Sequence, residues 1–271
     1  MKTLSTHVRR AFRRIRQSPL YAATIILCLT LGIGANTAIF SLVNMLILQP
    51  LPVEEADRLV TMLLLREGID PLGVGALDYQ ALTAGAPALA SAGLAERQTF
   101  ELQGGDRPDQ IEGATINRRY LPTLGVEPIA GRNFTEDEDS PGGPPVALVG
   151  HGLWQRHFGG DPDLVGKTIR MDGTEFQVVG VMPESFDLPA ATEVWVPMAL
   201  DPAMPPPAQL VPNFIMHARL APGATVEDLE TQARPLIERL AADYPQQREG
   251  WIPDVVPLRQ ALIGDFDGKI H

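Results

Sequence analysis

Gly160-Asp161-Pro162-Asp163-Leu164-Val165-Gly166-Lys167-Thr168 holds the residue types that cradle a nucleotide phosphate: a glycine-lined loop closed by Gly-Lys-Thr. Backbone amides, the lysine ammonium and the threonine hydroxyl bind phosphate oxygens when about four residues separate the glycines and the loop joins a strand to a helix. Here five residues lie between Gly160 and Gly166, and the sequence after Thr168 reads as a β-hairpin. Spacing and context both fail, so the chain is expected neither to bind nor to hydrolyse ATP.

Other candidate chemistry fails in the same way. The acidic run Glu136-Asp137-Glu138-Asp139 departs from the calcium-loop order, since Pro141 takes the fifth position counted from Asp137 and Leu148 the twelfth. It reads as a solvated acidic loop. The histidines His7, His151, His157, His217 and His271 show no zinc-ligand spacing; His151 and His157 are six apart, where zinc pairs stand about three to five apart. No Gly-x-Ser-x-Gly elbow marks a nucleophile. The sequence therefore nominates no catalytic residue, metal site or cofactor.

The small and polar residues Thr30, Gly34, Thr37, Ser41 and Asn44 form a better pattern, spaced 4, 3, 4 and 3 apart. On a helix they share one seam. In lipid, where apolar burial gives helices little reason to meet, small residues permit close backbone approach and polar ones supply interhelical hydrogen bonds. The seam is thus a candidate contact for a partner helix, the competing reading being a lone anchor whose polar residues are tolerated near its ends.

The element that positions it is the uncharged, mostly apolar segment 21–48. About 20 helical residues cross a bilayer core. A cleaved signal peptide would have a shorter apolar region and a small-residue cleavage site at its end, whereas this run continues into Gln49-Pro50-Leu51-Pro52. Lys2, Arg9, Arg10, Arg13, Arg14 and Arg16 precede the segment and no acid occurs before Glu54. Basic residues beside a span stay in the cytoplasm, so the N-terminus is expected inside and the remainder on the extracytoplasmic side. Residues 1–20, with Leu4, Val8, Phe12 and Ile15 at helical spacing between arginines, read as a cytoplasmic basic amphipathic segment at the lipid surface or as a topogenic charge cluster.

From Glu54 onward sixteen basic residues face all 33 acidic ones, a net charge of −17. Such a surface repels phosphate backbones and excludes nucleic acid as a partner. Cys28 is the only cysteine, so no intramolecular disulfide can brace the domain.

Residues 49–271 are expected to form a mixed α/β domain, giving an α+β class overall, because 25 prolines and 25 glycines punctuate the chain into short elements. Thr168–Met171 and Glu175–Val181 flank Asp172-Gly173, which suits a type I′ hairpin turn. Val146–Val149 reads as a buried strand. Leu153, Trp154, His157 and Phe158 share one face of a short helix closed by Gly159-Gly160, with Trp154 and Phe158 reaching the core. Thr225 and Asp228 form a capping box for an amphipathic helix carrying Leu229, Ala233, Leu236, Ile237 and Leu240, in which Pro235 predicts a kink or a division. The proline-rich stretch 202–212 reads as an irregular loop and a candidate subdomain boundary.

Several runs together resemble a known family. Ser18-Pro19, Leu31–Asn44 and Gln49-Pro50-Leu51-Pro52 look like the first transmembrane helix of bacterial ABC transporter permeases of the MacB and FtsX type. Gly131–Thr135, Leu153–Arg156 with Phe158–Pro162, Val165–Ile169, Val178–Pro183 and Trp195–Pro197 resemble the MacB-like periplasmic core domain, in the same order along the chain. The resemblance covers roughly residues 10 to 265 and is nearest to the permease subfamily abundant in acidobacteria.

That resemblance implies a permease component of an efflux or mechanotransmission transporter, without ATPase activity of its own. Its partners would be an ABC ATPase subunit, other permease helices or a second permease copy, the lipid bilayer and a periplasmic adaptor. Family members continue into three further transmembrane helices after such a domain. This sequence stops at His271, and the expectation is an N-terminal portion lacking the C-terminal permease domain. The alternatives are a single-pass anchored binding module acting independently of an ATPase, and an anchored enzyme.

Overall fold

The computed structural model describes residues 24, 28–34, 55–104 and 109–267, with side chains through Leu262. The expected segment 1–20 and most of the 21–48 span lie outside the described residues; residues 28–34 are helical and exposed. Among the described residues no helix is long and apolar enough to cross a membrane. Met1–Pro50 and Leu51–His271 are separate compact units.

Among the described residues the second unit holds eleven strands: β1 (Leu59–Arg66), β2 (Ile69–Leu72), β3 (Leu89–Gln103), β4 (Asp109–Ile116), β5 (Ala130–Gly131), β6 (Val146–Val149), β7 (Thr168–Met171), β8 (Thr174–Val181), β9 (Val194–Pro197), β10 (Ile215–Leu220) and β11 (Ile252–Pro257). They join in one mixed sheet, ordered β11-β1-β10-β3-β4-β9-β6-β8-β5, with β2 added to β1 and β7 bridging β3 and β8. The pairs β4–β9 and β6–β8 are parallel. Its helices are α1 (Ala76–Gly85), α2 (Tyr120–Leu124), α3 (His151–Phe158), α4 (Pro206–Gln209), α5 (Val226–Asp243), α6 (Pro245–Arg248) and α7 (Leu258–Asp267). Strands with interspersed helices are the mixed α/β arrangement expected.

β1 is apolar on both faces because both are covered. Val60, Met62 and Leu64 pack with Met216 and Ala218 of β10 against Leu82 of α1 and Leu229, Ala233 and Ile237 of α5. On the other face, Leu59 joins Ala95, Tyr120, Trp195 and Leu258 in a second core. A third gathers Ile111, Val149, Leu153, Ile169 and Val178.

The local signals act as their chemistry requires. Asp172 and Gly173 adopt φ of 49° and 79°, the two positive values of the hairpin turn. β6 is buried at every position. Gly159 closes α3 at φ 61°, and Trp154, half-buried, donates from Nε1 to the Asp161 carbonyl at 2.8 Å. Thr225 caps α5, its Oγ1 accepting from the Asp228 amide at 3.1 Å while Asp228 returns a bond to the Thr225 amide at 2.9 Å. α5 runs through Pro235 as one helix, not two. Residues 202–212 contain α4 and lie within the Leu51–His271 unit.

The acidic run differs from the solvated loop expected. Glu138 is buried, accepting from both terminal nitrogens of Arg132 at 2.8 and 2.7 Å and from the Thr135 amide at 2.8 Å. The Arg132 guanidinium holds its carboxyl down at about 2. Asp139 accepts from the amides of Arg118 at 2.7 Å and Ala199 at 3.0 Å, tying two loops together. Composition reported four charges; only the fold reveals that two of them serve as local acceptors.

Candidate functional site

Period-two alternation sets up the site. In β10, Met216, Ala218 and Leu220 enter the core under α1 and α5, so Ile215, His217 and Arg219 face the opposite side. Register then aligns a row across four strands: Val256 of β11 is opposite Thr61 of β1, Thr61 is opposite His217, and His217 is opposite Gly93 of β3. At the end of the row, a Cβ added to Gly93 would lie 2.3 Å from Tyr120 Cα. Only glycine lets α2 approach so closely.

This approach delivers Tyr120 to His217. Its hydroxyl lies 2.9 Å from His217 Nδ1, and the rings stack with centroids 5.5 Å apart. Both residues are buried. Burial lowers the His217 imidazole to about 4, with the Arg97 charge adding to the effect, and burial pushes the Tyr120 phenol upward. At neutral pH the pair is uncharged, with Nδ1 engaged and Nε2 the remaining ring nitrogen.

Beside the row lies an open cleft of about 850 Å³, walled by Leu63 and Ile215 of the sheet, Leu188 and Pro189 of the β8–β9 connection, and Leu258 and Leu262 of α7. Thr61 and His217 line it. Thr61 is 5% exposed, and its Oγ1 has no hydrogen-bond partner among the described residues. At the rim, Asn213 Nδ2 donates to Glu96 Oε1 at 2.6 Å. The arrangement is a cavity with apolar walls and a small neutral polar floor.

The residues singled out from sequence fall elsewhere. Thr30 and Gly34 are helical and exposed, whereas Thr37, Ser41 and Asn44 lie outside the described residues. The Lys167 ammonium is held by the Asp161 carboxylate, and β7 begins at Thr168 where a phosphate loop would need a helix. His157 Nε2 lies 3.0 Å from Asp109 Oδ2 at the surface, and His151 meets the Trp154 ring at 5.4 Å. Among the described residues no three His, Cys, Asp or Glu side chains converge as metal ligands. His217 carries no site signal in the sequence, because its spacing from the other histidines matches no metal-ligand pattern. The alternation Ile215-Met216-His217-Ala218-Arg219-Leu220 was the clue: it puts a histidine and an arginine on one face of a strand whose other face is apolar.

The family described as the MacB-like periplasmic core domain matches residues 22–236. Over 85 residues the sequence is 31% identical to the pyoverdine export ATP-binding/permease protein PvdT of Pseudomonas syringae pv. tomato, a match covering 30% of this chain and 13% of that protein. The fold is similar to the extracellular domain of the noncanonic ABC-type transporter YknZ from Gram-positive bacteria, with TM-score 0.54 and 15% identity over 72% of this chain and 98% of that one. It is also similar to a domain of a putative permease protein from Porphyromonas gingivalis, with TM-score 0.56 and 19% identity over 76% of this chain and 92% of that one. The periplasmic region of MacB from Actinobacillus actinomycetemcomitans gives TM-score 0.55 and 14% identity over 78% of this chain and 94% of that one.

Proposed function

Since this chain belongs to the MacB-like periplasmic core domain family, we propose that it is a permease component of an ABC transporter of the efflux or mechanotransmission type. The observation that carries this reading is the reach of the family match: residues 22–236 join the apolar N-terminal segment and the folded domain in a single unit of descent. In this reading residues 1–20 are cytoplasmic, 21–48 span the inner membrane, and 49–271 lie in the periplasm. A separate ABC ATPase supplies the energy, since Gly166-Lys167-Thr168 leads into a strand, with its lysine paired to Asp161. The seam Thr30, Gly34, Thr37, Ser41 and Asn44 faces other permease helices. Its periplasmic domain receives motion transmitted through the span.

A reporter active only outside the cytoplasm, fused after His271, tests the topology on which this rests. It should be active there. Activity of a cytoplasmic reporter at the same site, with a silent extracytoplasmic one, would reject the orientation and with it the periplasmic role.

A further inference from the structure

The geometry points to the cleft between the β11-β1-β10-β3 face and α7 as a binding site for a small uncharged amphiphile, whose apolar body lies against Leu63, Ile215, Leu258 and Leu262 and whose single hydroxyl, carbonyl or amine group reaches Thr61 Oγ1 and His217 Nε2. This inference does not depend on the transport reading.

Three observations converge on it. The volume of about 850 Å³ falls in the range of small-molecule sites, about 300–1,000 Å³, and its walls are aliphatic. The floor carries a buried hydroxyl without a partner, and a buried polar group left unpaired costs about 1–3 kcal/mol. A valine in its place would fit the same space without that penalty, and of the buried hydroxyls without a partner among the described residues, those of Thr61, Thr115 and Thr123, only that of Thr61 belongs to a residue lining the cleft, where a ligand group would complete its bonding. The floor is also uncharged, since His217 is neutral and already tied to Tyr120. A charged head buried against it would lack a counterion, which favours a neutral polar group. The charged residues that line the cleft, Asp70, Glu96 and Arg97, include both signs and stand exposed or half-exposed at its rim, with Glu96 engaged by Asn213.

N-phenyl-1-naphthylamine, an uncharged fluorophore with one N–H donor, is a suitable probe. The full chain in lipid nanodiscs should show a saturable fluorescence component at one probe per chain, above the signal of empty nanodiscs. Ala261→Trp, a substitution at a half-exposed position of α7 that lines the cleft, should remove it. Gln80→Trp, on the exposed side of α1, should leave it unchanged. Thr61→Val should raise the dissociation constant about three- to tenfold while raising the thermal midpoint of the unliganded chain, a split that a purely structural threonine would not give. The absence of a saturable component refutes the site. So does one that persists in Ala261→Trp, or that Thr61→Val leaves unaltered, in variants whose circular dichroism matches the parent.

Discussion

Arg248 and Asp78 form a fully buried ion pair between α6 and the first turn of α1, with Arg248 Nε donating to Asp78 Oδ1 at 3.1 Å and its terminal nitrogen to Oδ2. Asp78 Oδ2 also accepts from the Gly75 amide at 2.7 Å, so one carboxylate both caps a helix and neutralises a guanidinium. The buried charges are compensated only together. Arg248→Met or Asp78→Ala should each destabilise the Leu51–His271 unit by about 3–5 kcal/mol, because each strands an uncompensated group. The double substitution should cost less than the sum of the singles, a coupling that urea denaturation of the four proteins would measure. Additive effects would mean that the two charges do not depend on each other.

His217 gives the protein an acid-sensitive point. Its imidazole titrates near 6.5 when free and at about 4 in the fold, so the unfolded chain binds the proton more readily. The stability that neutrality provides is complete above pH 6.5 and is lost as the pH falls towards 4, by up to about 3 kcal/mol. Denaturation midpoints at pH 7 and pH 4.5 should differ more in the parent than in His217→Gln. Parallel losses in the two would assign acid sensitivity to the carboxylates instead.

Gly93→Ala should destabilise by about 1–3 kcal/mol through overpacking, since the added carbon meets the Tyr120 backbone at 2.3 Å and no rotamer can relieve it. The displacement should also lengthen the Tyr120–His217 contact. The imidazole resonances of His217, followed by NMR against pH, should then titrate closer to 6.5 than in the parent. An unchanged titration would mean that α2 does not depend on Gly93 for its position.

Lys167→Ala should leave the denaturation midpoint nearly where it was, because Lys167 and Asp161 meet at the surface and exposed pairs contribute little. Equilibrium dialysis with ATP should detect no binding in either protein. Micromolar binding lost on this substitution would restore the phosphate-loop reading.

Gly34→Leu should weaken association of the N-terminal helix with a partner helix by forcing the backbones apart, whereas Ile33→Leu, outside the seam, should not. Single cysteines introduced along 30–44 in a chain lacking Cys28 would report contact by cross-linking in membranes when a permease segment is co-expressed. Equal yields from every face would reduce the segment to an anchor.

What the sequence made legible were local features with short-range causes. The Asp172-Gly173 hairpin, the Thr225–Asp228 capping box and the Gly159 terminus each rest on one or two residues whose conformational preferences need no distant partner. The cleft could not be read in this way. Its floor joins β1, β10 and β11, whose register brings Val256 beside Thr61 and Thr61 beside His217, and no period in the sequence predicts pairing over such separations. Asp139 is hidden for the same reason, since its partners Arg118 and Ala199 belong to other loops, whereas Glu138 pairs with Arg132 of its own loop, a contact set by how that loop folds back and not by any period. Among the seam residues, Thr30 and Gly34 could be placed on a helix, but a lipid-facing contact needs a neighbour to define it.

The position of β1 in the sheet has a consequence for how the domain is made. Among the described strands this Leu-rich one is the first to leave the ribosome, yet its long pairings are with β10 and β11, which begin at Ile215 and Ile252. Contacts so distant in sequence form slowly, because loop closure must precede any reward from pairing. Until those last strands arrive, β1 offers aliphatic side chains on both faces and an unsatisfied backbone edge, the combination most open to wrong pairing. Maturation of the domain is therefore set by the arrival of β10 and β11, and the growing chain needs to be kept from other sticky segments until Pro257 has been added.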